Sequence, residues 1–108
     1  MESTVINEYA ATIATANDDF RRAGWGVTLT VGVQYLPDVN GLMKRVREFD
    51  SFNEGNDPYG EHDFGKLEWH GTTVFWKIDY YNKSLTGGVS PLSPHCQRVM
   101  TVMRADEY

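Results

Sequence analysis

The sequence predicts an α+β domain in which two helices pack on one face of a small antiparallel sheet. Three observations predict this class. Apolar residues recur at three- and four-residue steps in two segments, residues 27–33 alternate with a period of two, and two β-prone runs flank His70-Gly71. A chain of 108 residues fits one domain, so we expect a single domain over residues 1–108 with the element order α-β-α-β-β-β.

An apolar stripe near the N-terminus indicates the first helix, and a period-two segment indicates the first strand. The stripe consists of Val5, Ile6, Tyr9, Ala10, Ile13 and Ala14. Gly24 is suited to ending this helix, and the polar run at 17–19 is an earlier place where it can end. In residues 27–33 every second residue is apolar: Val27, Leu29, Val31 and Val33.

The second helix and the last strand complete the predicted elements. The helix follows Pro37, because proline is tolerated in a first helical turn, and its apolar stripe is Leu42, Met43, Val46 and Phe49. Residues 98–104 fit either a helix or a strand. We favour a strand, because Asp106 and Glu107 are unfavourable at the C-terminus of a helix.

A hairpin is predicted around His70-Gly71, where glycine suits a left-handed turn position. A two-residue turn fixes the register, and it places Gly65 opposite Trp76, where the missing side chain leaves room for the indole. The same register, continued beyond Phe64, places His62 opposite Asp79 on one face of the sheet.

Composition and charge exclude several function classes. Hydrophobic residues make up 41% of the chain and charged residues 23%, which is typical of a folded domain. The net charge of −5 argues against direct binding to nucleic acid or to an acidic membrane. One cysteine excludes an internal disulfide, and the start of the sequence has no signal-peptide pattern. We therefore expect a cytoplasmic protein without a cofactor.

The strongest catalytic candidates are His62, Asp79 and Lys77. A carboxylate beside an imidazole fixes its tautomer, as a general base requires. Asp57, Glu61 and Asp63 offer oxygen ligands for a divalent cation. We favour a structural interpretation, in which a bond between His62 and Asp79 holds the hairpin to the preceding loop, and we keep the catalytic and metal-binding roles as alternatives.

Residues 48–63, which we call the acidic loop, contain six carboxylates and no Lys or Arg. Such a segment can bind a basic surface of a protein partner and steer association with it. The predicted partner-binding residues are Glu54, Asp57, Tyr59, Glu61 and Asp63. The alternative is a solvated, turn-rich loop without a partner.

Three runs of sequence carry a resemblance: NDPYGEHDFG at residues 56–65, FWKIDYY at 75–81, and RVMTVM at 98–103 followed by ADEY at 105–108. Together they resemble a family of small bacterial proteins classed as domain of unknown function 3768. The resemblance implies a setting on plasmids, phages and related mobile elements, where small proteins often control or evade host defence.

Two functions are expected from these observations. The first is inhibition of a protein partner, such as a nucleic-acid-handling complex of the CRISPR type, through the acidic loop. The second is a small metal-assisted hydrolase or nuclease that uses Glu61, His62, Asp63 and Asp79.

Overall fold

The computed structural model describes the backbone of residues 2–108 and the side chains of residues 8–108. It is an α+β structure in which helices cover one face of a four-stranded sheet. In chain order the elements are α1 (Glu2–Ala23), β1 (Val27–Leu29), α2 (Val31–Gln34), α3 (Val39–Arg47), β2 (Phe64–Trp69), β3 (Thr72–Tyr81), β4 (Gln97–Arg104) and a 3-10 turn at Ala105–Glu107. The side chains of Val5 and Ile6, predicted in the first stripe, lie outside the described residues.

The sheet is mixed, which corrects the expectation of a purely antiparallel one. The strand order is β1-β4-β3-β2, with β3 antiparallel to both of its neighbours. β1 runs parallel to β4, with Val27 paired to Met100 and Leu29 to Val102. A parallel neighbour needs a long crossover connection, and here helices and the hairpin lie between the two strands in the chain.

The hairpin has the predicted register. All six residue pairs from Phe64–Lys77 to Trp69–Thr72 are formed, and both turn residues, His70 and Gly71, have positive φ. Gly65 lies directly beneath the indole of Trp76, so closely that a Cβ on this glycine would overlap the ring. The predicted reason for a glycine at this position is confirmed.

The core lies between the sheet and the helices. Fully buried apolar side chains come from both layers: Val33, Leu42, Val46, Val74, Trp76, Met100 and Val102. The opposite face of the sheet carries a smaller aromatic group, in which the Phe75 ring centroid lies 5.2 Å from Phe64 and 5.5 Å from Tyr108. Alternation along β3 therefore divides its aromatic residues between the two faces of the sheet.

The predicted strand over 27–33 ends early, and a short helix takes its second half. The hydroxyl of Thr30 accepts a hydrogen bond from the amide of Val33, which starts α2. The carboxylate of Glu107 accepts bonds from the Thr30 hydroxyl at 2.6 Å and from the Gly32 amide at 3.0 Å. These bonds, with one from the amide of Arg104, lower the pKa of Glu107. Residues 2–108 thus form three α-helices rather than the predicted two.

Two other expectations are settled by the structure. Residues 97–104 form a strand, as favoured. α1 continues through residues 17–19 to Ala23, because the polar side chain of Asn17 is bonded within the fold rather than to water. Within the part of the chain described, no helix combines the length and the apolar character needed to cross a membrane.

Candidate functional site

Two buried polar residues of α1 lie under the acidic loop. Asn17 and Arg21 are four residues apart, so they share one face of the helix, and both are 0% exposed. Buried polar side chains are rare unless they are bonded, and these two organise the contacts between α1, the loop and the sheet. Neither residue is predicted in this role by the sequence patterns.

Asn17 joins three parts of the chain. Its amide nitrogen donates to the carbonyl of Glu61 and to the hydroxyl of Tyr80, both at 2.9 Å. Its carbonyl oxygen accepts a bond of 2.7 Å from the Nε of Arg98. The side chain therefore holds the end of the acidic loop, β3 and β4 against the helix.

Arg21 lies against the aromatic core. Its guanidinium carbon is 4.9 Å from the ring centroid of Trp76, a cation–π distance, and one nitrogen donates to the carbonyl of Phe49 at 2.8 Å. Another nitrogen donates to Asp18 at 3.0 Å. Burial lowers the pKa of Arg21, and the neighbouring carboxylate of Asp18 opposes that effect.

His62 lies between two carboxylates. Its Nδ1 is 3.0 Å from Oδ2 of Asp18, and its Nε2 is 3.5 Å from Oδ2 of Asp57. The imidazole stacks on Phe52 with the ring centroids 3.8 Å apart and the planes 4° from parallel. Asp57 also accepts bonds from the amides of Glu61 and His62, each at 3.1 Å. The whole arrangement ties the acidic loop to α1.

The structure does not form the predicted pair of His62 and Asp79. His62 has φ +55°, a left-handed conformation that breaks the strand register at this residue and turns its ring toward α1. Asp79 pairs instead with Lys77 at 3.0 Å, which raises the pKa of Lys77. The three catalytic candidates are therefore not assembled around one point.

The carboxylates at the end of the loop are partly withdrawn from water. Burial raises the pKa of Glu61, and the nearby charges of Asp63 and Asp57 raise it further. Burial likewise raises the pKa of Asp63, whose Oδ2 accepts a bond of 3.4 Å from the hydroxyl of Tyr80. The pKa of Tyr80 is raised by its burial and by these carboxylates.

A groove lies between α1 and the acidic loop, with a volume of about 560 Å³. We call it the acidic groove. The α1 wall is made of small residues and one carboxylate, and the loop wall carries two carboxylates, a tyrosine and the histidine. The lining residues are Ala10, Ala11, Ala14, Thr15, Asp18, Glu54, Asp57, Pro58, Tyr59, Gly60 and His62.

The five predicted partner-binding residues divide into two groups. Glu54, Asp57 and Tyr59 line the acidic groove, and Tyr59 is 78% exposed. The Asp57 side chain is only 6% exposed, since it is bonded inside the loop. Glu61 and Asp63 lie outside the groove lining and are half-buried. The outward-facing acidic surface is therefore smaller than the sequence indicates.

The predicted metal ligands do not converge. Asp57 directs one oxygen to backbone amides, and Asp63 accepts a bond from Tyr80. Among the described residues, no three His, Cys, Asp or Glu side chains are placed to hold a metal ion.

The fold and the groove define a class: a small α+β protein with a carboxylate-lined groove beside its long first helix. A family model described as "Protein of unknown function (DUF3768)" matches residues 29–107, so the chain belongs to this family. The loop wall of the acidic groove falls within the matched residues, and the α1 wall precedes them. No curated protein matches the chain, and no solved structure matches it.

Proposed function

We propose that the chain is a non-catalytic binding protein whose acidic groove takes a basic segment of a protein partner. One observation carries the proposal. Three carboxylates and an exposed tyrosine line the groove, and none of the eleven lining residues is Lys or Arg. Asp18 and Asp57 both face His62, and Glu54 is the carboxylate of the three that is exposed to solvent. A positively charged segment of a partner is electrostatically complementary to such a lining.

The chemistry of the lining suits lysine or arginine side chains. Their apolar stems pack well along alanine and proline, and Ala10, Ala14 and Pro58 line the groove. Their charged ends bind carboxylates and aromatic faces, which Glu54 and Tyr59 offer to solvent. The net charge of −5 adds long-range attraction for a basic partner.

We further propose that the partner handles nucleic acid, and that binding inhibits it. Proteins that bind a phosphate backbone expose clusters of Lys and Arg, the surface that an acidic groove complements. Occupation of that surface would compete with the nucleic acid. The expected action against a defence complex of the CRISPR type stays a prediction from the family resemblance.

Calorimetric titration with a lysine- and arginine-rich peptide at low salt tests the proposal, with a glutamate-rich peptide as the negative probe. The double variant Glu54→Gln, Tyr59→Ala changes two exposed groove residues. The matched control is Glu48→Gln, Tyr35→Ala, which changes two exposed residues outside the groove.

We expect the groove variant to weaken peptide binding by about tenfold, equivalent to about 1.4 kcal/mol, since it removes one charge and one cation–π contact. The control variant is expected to bind like the unmodified chain. Failure of the basic peptide to bind, or equal weakening in the two variants, would contradict the proposal.

The second predicted function, a metal-assisted hydrolase, receives less support from this geometry. A general base needs a ring nitrogen that is free to accept a proton from substrate, and both nitrogens of His62 face carboxylates. Asp79 is engaged by Lys77 away from His62. Hydrolysis therefore stays a prediction of the sequence.

A further inference from the structure

The outer edge of β2 presents backbone groups without partners. β2 is the last strand in the sheet order and pairs only with β3. In a two-residue hairpin the residues beside the turn exchange hydrogen bonds, so Leu67 and Trp69 bond toward β3. The bond from the amide of Ile78 to the carbonyl of Asp63 continues the same alternation.

The backbone groups of Phe64, Lys66 and Glu68 consequently point away from the sheet. No loop or helix in the described part of the chain forms a hydrogen bond to them. Edge strands that are protected from pairing commonly carry proline, a bulge or charged side chains, lysine above all. β2 has no proline and no bulge, since its sequence is FGKLEW and its register with β3 is continuous. Its two exposed charged residues, Lys66 and Glu68, are of opposite sign, so they repel only a partner that brings like charges together.

The side chains along this edge are complementary to a copy of themselves. Lys66 and Glu68 are both exposed and stand on the same face, because they are two residues apart. If two β2 strands pair antiparallel about an axis at Leu67, Lys66 of each copy lies opposite Glu68 of the other. In this register Lys66 of one copy and Glu68 of the other exchange backbone hydrogen bonds, because the backbone groups of both residues point away from β3.

Neighbouring registers lack this complementarity. A pairing centred on Lys66 places lysine opposite lysine, and one centred on Glu68 places glutamate opposite glutamate, which is unfavourable in a sheet. A shift of the partner strand by one residue would place Lys66 opposite Leu67, whose backbone groups point toward β3. The backbone hydrogen bonds between the two copies would then be lost.

We propose that the β2 edge is the interface of a homodimer, in which the two β2 strands pair antiparallel about Leu67 and join the two sheets into one. The partner at this edge is a second copy of this chain, because antiparallel pairing about Leu67 places each Lys66 opposite a Glu68 of opposite charge. The inference does not depend on the acidic groove, none of whose lining residues belongs to β2.

Sedimentation equilibrium over a wide range of protein concentration tests the dimer. The variants are Lys66→Glu, Glu68→Lys and the double exchange Lys66→Glu, Glu68→Lys. Each single variant places like charges opposite each other at two positions of the dimer, so we expect dimerisation to weaken by about tenfold or more. The double exchange restores unlike pairs, and we expect it to dimerise like the unmodified chain.

The two single variants also separate local pairing from overall charge, since they shift the net charge of −5 in opposite directions. If only one of them weakened the dimer, repulsion between whole molecules would explain the result and the proposed register would be excluded. A monomer at every concentration would overturn the dimer itself.

Amide hydrogen exchange in the unmodified chain provides a second measurement that needs no variant. The amides of Lys66 and Glu68 are expected to become protected as the protein concentration rises, because they form bonds only in the dimer. The amide of Leu67, which bonds to β3, is the internal reference. Unchanged exchange of the two outward amides at all concentrations would also overturn the proposal.

Discussion

Replacement of Asn17 by alanine is expected to destabilise the fold by about 4 kcal/mol. Asn17→Ala removes two bonds between neutral groups, to the Glu61 carbonyl and the Tyr80 hydroxyl, and one bond from the charged Arg98. A neutral bond contributes about 1 kcal/mol and a charged one about 1.5–3 kcal/mol. Since Asn17 is 0% exposed, water does not readily replace the lost partner.

Urea denaturation with linear extrapolation measures this loss, and thermal unfolding is expected to show a midpoint roughly 20 °C lower. Asn40→Ala is the matched control, because Asn40 is an exposed asparagine on α3. Its free energy of unfolding is expected to change by less than about 0.5 kcal/mol.

A loss below about 1 kcal/mol for Asn17→Ala would refute the reasoning that this side chain holds the acidic loop. Tyr80→Phe completes a double-mutant cycle. The two changes are expected to be non-additive by at least about 0.5 kcal/mol, since the side chains share a bond of 2.9 Å. Strict additivity would show that this bond contributes nothing to stability.

Two further predictions concern stability. Gly65→Ala is expected to lower the free energy of unfolding by about 2–3 kcal/mol in urea denaturation, because its Cβ would lie 2.5 and 2.7 Å from carbons of the buried Trp76 indole. Gly87→Ala, where the nearest atom is 3.7 Å away, is expected to be neutral or slightly stabilising, and equal losses at the two glycines would contradict the packing argument. The raised pKa of Asp63 means that the folded state binds more protons than the unfolded state, so this carboxyl makes stability fall as the pH rises. Asp63→Asn is therefore expected to be more stable than the unmodified chain at pH 7, with the difference shrinking as the pH approaches 3.8, the ordinary pKa of the group; a less stable variant at pH 7 would contradict this.

The hairpin could be predicted to the residue because its signals are local. Alternation sets the two faces, His70-Gly71 sets the turn, and the turn sets the register. Gly65 beneath Trp76 follows from the same register. The last strand could be favoured over a helix from the acidic residues that follow it.

The candidate site could not be predicted in the same way, because it joins residues that are far apart in the chain. His62 and Asp18 are 44 residues apart, and no sequence pattern connects them. The positive φ of His62 also breaks the alternation from which the pair with Asp79 was predicted. A polar residue at 17 in an otherwise amphipathic helix was the available signal, and it indicated a helix end equally well.

The first strand could be predicted only in part, for a different reason. Residues 27–33 alternate correctly for a strand, but the second half becomes α2 when the carboxylate of Glu107 binds Thr30 and Gly32. These contacts cross 77 and 75 residues of chain. Local propensity is a weak determinant where a distant group supplies the cap.

The parallel pairing of β1 with β4 has a consequence for the order of folding. Val27 pairs with Met100, so this contact closes a loop that contains most of the chain. The β2–β3 hairpin, in contrast, closes a loop of two residues. Strands that are far apart in the sequence pair slowly, because the chain between them loses conformational entropy before the contacts of the pair are formed. We therefore expect β1 to be the last strand to dock, and the β4 edge to stay unpaired until it does.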